Sequence, residues 1–377
     1  MDFYIGLKVL WWVLLGVLLM GLAIMVGMDM GVGTLLRFVG RNDGERRQAL
    51  NVIGPHWDGN QVWFILGGGA IFAAWPTLYA TSFSVFYIVM ILLLFSMILR
   101  PVAFEYRSKV AASKWRESWD WVFLVSGVLP MFIYGAAMGN ILSGVGFHFS
   151  WDGQYYQTES FIWYLLNPIA ILSGLLAVSM SVYQGGTMLM LRGTDPIASR
   201  AKNYASVAGI VAAILFIIGG FMISGMKGYT LISGDPGMSA NPVSGQVVEA
   251  VSGGWMHNYG AHPILWLIPI LAIACMLLGA LFLRANKPIL GWWLGALAWI
   301  GVLGTVAASM FPFLMPSSDN LNQSLTIWNA SGSRYNLIWM TIFTVIFVPT
   351  ILAYTTWCFR VMRGKVAKPS AADDHAY

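Results

Sequence analysis

Charge is what this chain has least of. Only 10% of its 377 residues are Asp, Glu, Lys or Arg, against about 25% in an average soluble domain, which excludes an ordinary water-soluble globular protein. Histidine is scarce too, limited to His56, His148, His257, His262 and His375. The two cysteines, Cys275 and Cys358, both lie in apolar runs, which excludes a disulfide framework and a Cys-x-x-Cys metal site. There is no Walker sequence, no G-x-G-x-x-G after a strand, and no nucleophile–base pair at usable spacing. No internal repeat is visible. A cleavable signal peptide is not expected either. The first apolar run, from about Ile5 to Val26, is too long for a signal h-region, and no small-residue cleavage site precedes the polar Arg37–Arg47 loop.

What fills the chain instead is apolar. Hydrophobic residues make up 58% and the mean hydropathy is +0.69, so the fold class is an all-α polytopic membrane protein. A span needs about 20 apolar residues. On that criterion nine helices are expected, at roughly 5–36, 56–78, 81–101, 119–143, 161–190, 204–226, 263–284, 289–313 and 335–360. The second is the weakest, because its first turn is polar and it holds Gly67, Gly68 and Gly69.

Charge placement decides between nine spans and eight, since cytoplasmic loops are enriched in Lys and Arg. With nine, one side receives 18 of the 21 basic residues, including the Arg37–Arg47 loop, Arg100 to Arg116 and the tail from Arg360. The other side keeps Lys8, Lys227 and Arg334. With eight, the Arg37–Arg47 cluster falls on the wrong side. The prediction is therefore an N-terminus outside and a C-terminus in the cytoplasm. The net charge of +5 is explained by this asymmetry and not by nucleic acid. Residues 1–368 form a single integral membrane domain, and the polar tail 369–377 is expected to be disordered. The outer segment 227–262 is too long for a plain connection and is expected to pack on something.

The 18 tryptophans, 15 tyrosines and 21 phenylalanines concentrate near span ends, as aromatic belts do. Three polar constellations within or beside the spans resist that structural reading. In Gly27-Met-Asp-Met-Gly-Val-Gly33, Asp29 lies about 12 Å from the cytoplasmic end at Arg37, at 1.5 Å per residue. It is either a neutral, hydrogen-bonded lock between helices or a place on an ion or proton path.

Gly54-Pro-His-Trp-Asp-Gly-Asn-Gln-Val-Trp63 puts His56, Asp58, Asn60 and Gln61 at the lip of an apolar run. Asp58 suits a helix N-terminus as a cap, yet capping does not explain the amides one turn deeper. On a proton path, Asp58 is expected to titrate above the reference of about 3.9, because burial disfavours its charged form. In the third, Pro101 is expected to end or kink the third span, leaving Arg100 to snorkel or to face Glu105 or Asp58. No two histidines fall within the spans, which argues against a bis-histidine haem in this chain.

Taken together, these motifs resemble a known family. Asp29-Met-Gly-Val-Gly33, Arg41-Asn-Asp, Pro55 to Trp63, Phe72-Ala-Ala-Trp-Pro76, Arg100-Pro101 and Phe311-Pro-Phe-Leu-Met-Pro-Ser-Ser318 occur in the order seen in subunit II of the cytochrome bd quinol oxidases, cyanide-insensitive variants included. The resemblance implies a bacterial inner-membrane terminal oxidase that oxidises quinol and reduces O₂ to water. It implies two four-helix bundles plus one peripheral helix. It also implies a heterodimer with subunit I, which carries haems b558, b595 and d, while a small accessory subunit is left open. Some members hold a structural quinone in subunit II.

The same resemblance assigns subunit II a proton path from the cytoplasm. Asp58 is its matching residue here, with Asp29, Arg100, Glu105 and His56 as further candidates. Two positions depart from the family: Val26 stands where an acidic residue is common, and Glu105 stands where Asp is common. This chain is then expected to supply proton uptake, assembly and stability rather than a redox centre. The rival is a secondary transporter with midplane acids, which would move substrate without a haem partner.

Overall fold

A computed structural model describes residues 2–157, 166–243 and 245–366. The start of the fifth expected span (161–165) and the polar tail 369–377 lie outside the described residues. The helices run in the order α1 (Phe3–Val39), α2 (Asp43–Ile53), α3 (Trp57–Ala74), α4 (Pro76–Val85), α5 (Tyr87–Tyr106), α6 (Ser113–Ser143), α7 (Pro168–Arg192), α8 (Ile197–Gly225), α9 (His257–Ala261), α10 (Leu267–Arg284), α11 (Pro288–Met310) and α12 (Arg334–Val361). Among the described residues, eight helices are long and apolar enough to cross a membrane. The 18-residue α3 is not among them, because its polar first turns, from Asp58 to Gln61, dilute its apolar run.

Several boundaries differ from the sequence expectation for local physical reasons. The Arg37–Arg47 loop contains α2. Asn42 Oδ1 accepts from Glu45 N at 2.9 Å and Glu45 Oε2 accepts from Arg41 N at 2.8 Å, a reciprocal cap that satisfies orphan donors at the helix start. Between the second and third spans, Pro76 begins α4 and restricts Trp75 to a non-helical conformation. The third span then continues past Pro101 to Tyr106, so Pro101 does not end it. The fold is also not purely α. Strands β1 (Phe147–Phe149) and β2 (Tyr155–Gln157), β3 (Lys227–Ser233) and β4 (Val247–Ser252), and β5 (Phe313–Met315) and β6 (Leu325–Thr326) form three antiparallel pairs. The eighth expected span therefore stops at Met310, and its last expected residue, Phe313, enters β5.

α1 is the hub. It packs on α3, α6, α7 and α11, while α5 packs on α6, and α7, α8, α10 and α11 pack with one another as a second four-helix group. Between helices in lipid the hydrophobic effect supplies little drive, so close backbone approach and hydrogen bonds carry the association. The α1–α7 crossing shows both. A Cβ on Gly31 would collide with the Ser181 carbonyl, and one on Gly185 would collide with the backbone of Gly31. At the same crossing Ser181 Oγ donates to Gly27 O at 2.7 Å. α12 stands apart, burying only Leu337.

The two ends of the helices differ in kind. The hairpin end weaves its loops together. Lys8, fully buried, donates from Nζ to Trp328 O at 2.7 Å, Met238 O at 2.8 Å and Pro236 O at 3.0 Å. Gln246 Nε2 reaches Ser324 O at 2.6 Å, and Trp255 Nε1 reaches Leu142 O at 3.0 Å. Segment 227–262 thus does pack, on α1, α6 and the β5–β6 loop.

The opposite, basic end is laced by ion pairs. Asp120, fully buried, takes Arg107 Nε at 2.7 Å and Arg46 Nη1 at 2.8 Å. Asp43 takes Arg116 at 2.6 Å and Arg107 at 2.9 Å. Glu45 takes Arg200 at 2.6 Å. Burial pushes the Glu45 carboxyl up, but the Arg41 backbone N–H and the Arg200 guanidinium outweigh it and hold the group below the usual carboxylate range.

Candidate functional site

A buried polar cluster gathers between α1, α3 and α5. Asp29 comes from the middle of α1 and is fully buried. His56 is the residue before α3, and Asn60 lies four positions on. That i, i+4 spacing puts both on one helix face. Asn60 Nδ2 lies 2.9 Å from Asp29 Oδ2 and 3.1 Å from His56 Nδ1. His56 Nδ1 stands 3.6 Å from Asp29 Oδ1. One amide therefore bridges a carboxyl and an imidazole. An Nδ1 that accepts from Asn60 assigns the ring proton to Nε2.

Arg100 completes the cluster from α5. Its guanidinium is fully buried, donating from Nη2 to Asp29 O at 2.8 Å and from Nη1 towards Met30 Sδ at 3.2 Å, with the Phe104 ring 5.8 Å away. The approach depends on Gly33, where a Cβ would sit 3.3 Å from Arg100 Nη1 and 3.0 Å from Phe123 O. Arg100 thus grips the backbone at Asp29 and leaves the carboxyl to Asn60 and His56. A buried cation and carboxyl this close offset each other's desolvation.

Three buried atoms of this cluster have no hydrogen-bond partner: Asp29 Oδ1, His56 Nε2 and Arg100 Nε. Unsatisfied buried polar atoms are rare and mark strain, catalysis or a place for water or a proton. A carboxyl and an imidazole, each with one free heteroatom, can hold and exchange a proton.

The structure does not bring all five sequence candidates together. Asp29, His56 and Arg100 converge, whereas Asp58 and Glu105 are exposed on this chain. Asp58 sits in the first turn of α3 rather than at its cap, where negative charge still suits the helix N-terminus. Burial, the expected reason for a raised Asp58 carboxyl, is not supplied by this chain; it falls on Asp29. Arg100 faces neither Glu105 nor Asp58. Asn60 was legible as an amide out of place, but its bridging role was not. The signal was its spacing from His56.

A second feature lies in the four-helix group of α7, α8, α10 and α11. An apolar cavity of about 340 Å³ is lined by α6, α7, α8, α10 and α11, with Tyr134, Phe216, Trp266 and Trp299 among its walls. The Trp299 indole N–H has no partner. No histidine lines this cavity, so it offers no imidazole to a haem iron. Among the described residues no group of three or more His, Cys, Asp or Glu could hold a metal ion.

Comparison with known proteins agrees over nearly the whole chain. The sequence model of cytochrome bd terminal oxidase subunit II matches residues 7–362. Cytochrome bd-I ubiquinol oxidase subunit 2 of Escherichia coli K12 is 43% identical over 367 residues, covering 97% of this chain and 96% of that one. A probable cytochrome oxidase subunit 2 of Haemophilus influenzae is 42% identical over 363 residues, 96% of each chain. The solved bd oxidase of Geobacillus thermodenitrificans has a chain of the same fold, with a TM-score of 0.71 over 94% of this chain and 98% of that one, at 10% identity. This chain belongs to the cytochrome bd terminal oxidase subunit II family and is a subunit of a terminal oxidase complex.

Proposed function

We propose that this chain pairs with a haem-bearing subunit I in the bacterial inner membrane and conducts protons from the cytoplasm towards the site of O₂ reduction, besides serving assembly and stability. The basic end is the cytoplasmic one in this reading, and α3 is a ninth crossing. The observation that carries it is the Asn60-bridged pair of Asp29 and His56, with an unpartnered atom on each side chain. The haems b558, b595 and d belong to subunit I and supply the electron transfer. His56 takes a proton from the basic end, Asp29 holds it, Asn60 orients the pair, and Arg100 holds the α1 backbone and keeps the local charge balanced. Asp58 and Glu105, on exposed faces, would act only where subunit I covers them.

The cavity under Trp299 is the place for a structural quinone. It is apolar and of ligand size.

The test is quinol-dependent O₂ uptake by the purified complex carrying Asp29→Asn. Turnover should fall by about a hundredfold, within the range typical of a positioned proton-transfer group, with haem absorbance unchanged. Full turnover with intact haems would overturn the proton role.

A further inference from the structure

The chain beyond α12 is held at the basic end by contacts that none of the roles above requires. Gln48 of α2, fully buried, donates from Nε2 to Val366 O at 2.7 Å and to Thr194 Oγ1 at 2.6 Å. Val366 N in turn donates to Arg192 O at 2.7 Å. Both backbone groups of Val366 are therefore engaged, one by α2 and one by the end of α7. Arg192 adds Nε to Gly364 O at 3.5 Å and Nη1 to Val52 O at 3.2 Å. The Val366 side chain packs against the core that contains Val52, Trp57 and Leu189. On the last turns of α12, the Phe359 ring lies over the His56 imidazole with centroids 4.9 Å apart.

These contacts converge on one residue. The His56 ring is enclosed by Asp29 of α1, Asn60 of α3 and Phe359 of α12, and the charged groups facing it are Asp29 and Arg192. Its Nε2, which carries the ring proton, is buried and has no hydrogen-bond partner, so water is kept from it on the side where that proton would exchange with solvent. We propose that residues 359–366 form a strap that closes the basic-end mouth of the Asp29–His56–Asn60 cluster and positions the His56 ring within it.

The fastening is slight. Residues 361–365 are exposed and α12 is otherwise almost unburied, the profile of a segment that opens locally without global unfolding. Docked, the strap keeps Nε2 dry; lifted, it admits water to the imidazole. How often the cluster meets solvent is then set by Gln48 and Val366. The consequence for turnover rests on the proton-uptake reading, whereas the docking itself does not.

The test measures how fast diethylpyrocarbonate modifies His56, by peptide mass spectrometry of the whole oxidase complex. His257 and His262, exposed and far from the basic end, serve as internal references. A chain ending after Met362, and separately Gln48→Ala, should modify at His56 about fivefold faster or more, the change expected for losing one net hydrogen bond. The pH profile of quinol-dependent O₂ uptake should move in the same variants. Modification of His56 at the wild-type rate in both variants would overturn the strap. If the shortened chain fails to assemble, Gln48→Ala decides alone, since it keeps every strap residue. Faster modification of His56 in a complex whose Asp29→Asn form turns over normally would uphold the strap and remove the proton role.

Discussion

Asp29 and His56, from two different helices, approach to 3.6 Å between Oδ1 and Nδ1 and share one donor, the Nδ2 of Asn60. The arrangement holds a carboxyl and an imidazole in register, their contact an ion pair only when the imidazole is protonated. The α1–α7 crossing is secured separately, by Ser181, Gly31 and Gly185.

Removing the bridge should therefore cost function more than stability. Asn60→Leu leaves both Asp29 oxygens and both His56 nitrogens without an amide partner. Turnover is expected to fall about tenfold or more, less than for Asp29→Asn, because the proton carriers themselves remain. Oxygen uptake with haem spectra as the control checks this. Asp58→Asn provides the contrast: a fall as deep as that of Asp29→Asn would place the path on the exposed face of α3.

Arg100 should tolerate neither neutralisation nor a change of shape. Arg100→Met strips a charged donor from the buried Asp29 carbonyl, and losing a hydrogen bond to a charged group costs about 1.5–3 kcal/mol. Arg100→Lys keeps the charge but cannot reach both Asp29 O and Met30 Sδ, the two contacts made by the planar fork. A detergent-resistance or thermal-inactivation series should rank wild type above Lys and Lys above Met. Equal stability of all three would deny Arg100 its role as the clamp on α1.

Gly185→Ala should destabilise the α1–α7 crossing. The added Cβ meets the Gly31 backbone rather than a flexible side chain, so the helices must separate, at about 1–3 kcal/mol. Assembly yield of the complex is the readout, with Gly68→Ala, where a Cβ would meet nothing, as the neutral control.

Lys8→Met should loosen the hairpin end while leaving the buried cluster alone. Three backbone carbonyls lose a charged donor. The expected cost is roughly 2–4 kcal/mol, since the carbonyls partly regain water. Hydrogen exchange should rise in residues 234–246 and stay unchanged around Asn60.

Acid should weaken the basic end through Glu45. Its carboxyl is held below its ordinary value of 4.5 in the folded chain. The stability it contributes is thus fully present above that value and is lost as pH falls through the folded one. Glu45→Gln should flatten this part of the acid dependence, measured as the pH at which the α2 segment becomes open to protease.

The order of amino acids alone determines the class of this chain, because lipid forbids what water permits. Runs of apolar residues, the one-sided Arg and Lys loops and the sparse histidines can be read without coordinates, since each reflects a cost set by the solvent around a single segment. Asp29, His56 and Arg100 stood out on the same ground, as ionisable groups where burial is expensive. What tertiary structure alone decides is which of them meet. Asp58, only two residues from His56, turns outward, and Glu105, five from Arg100, does the same. A one-dimensional pattern places residues at a depth but does not rotate one helix against another. That rotation is set by the Gly31–Gly185 contact, by Gly33 beneath Arg100 and by the ion pairs of Asp120, all between residues distant in the chain. The strap over His56 depends on Gln48, Arg192 and Val366, which share no motif. Only the folded chain brings them to one place.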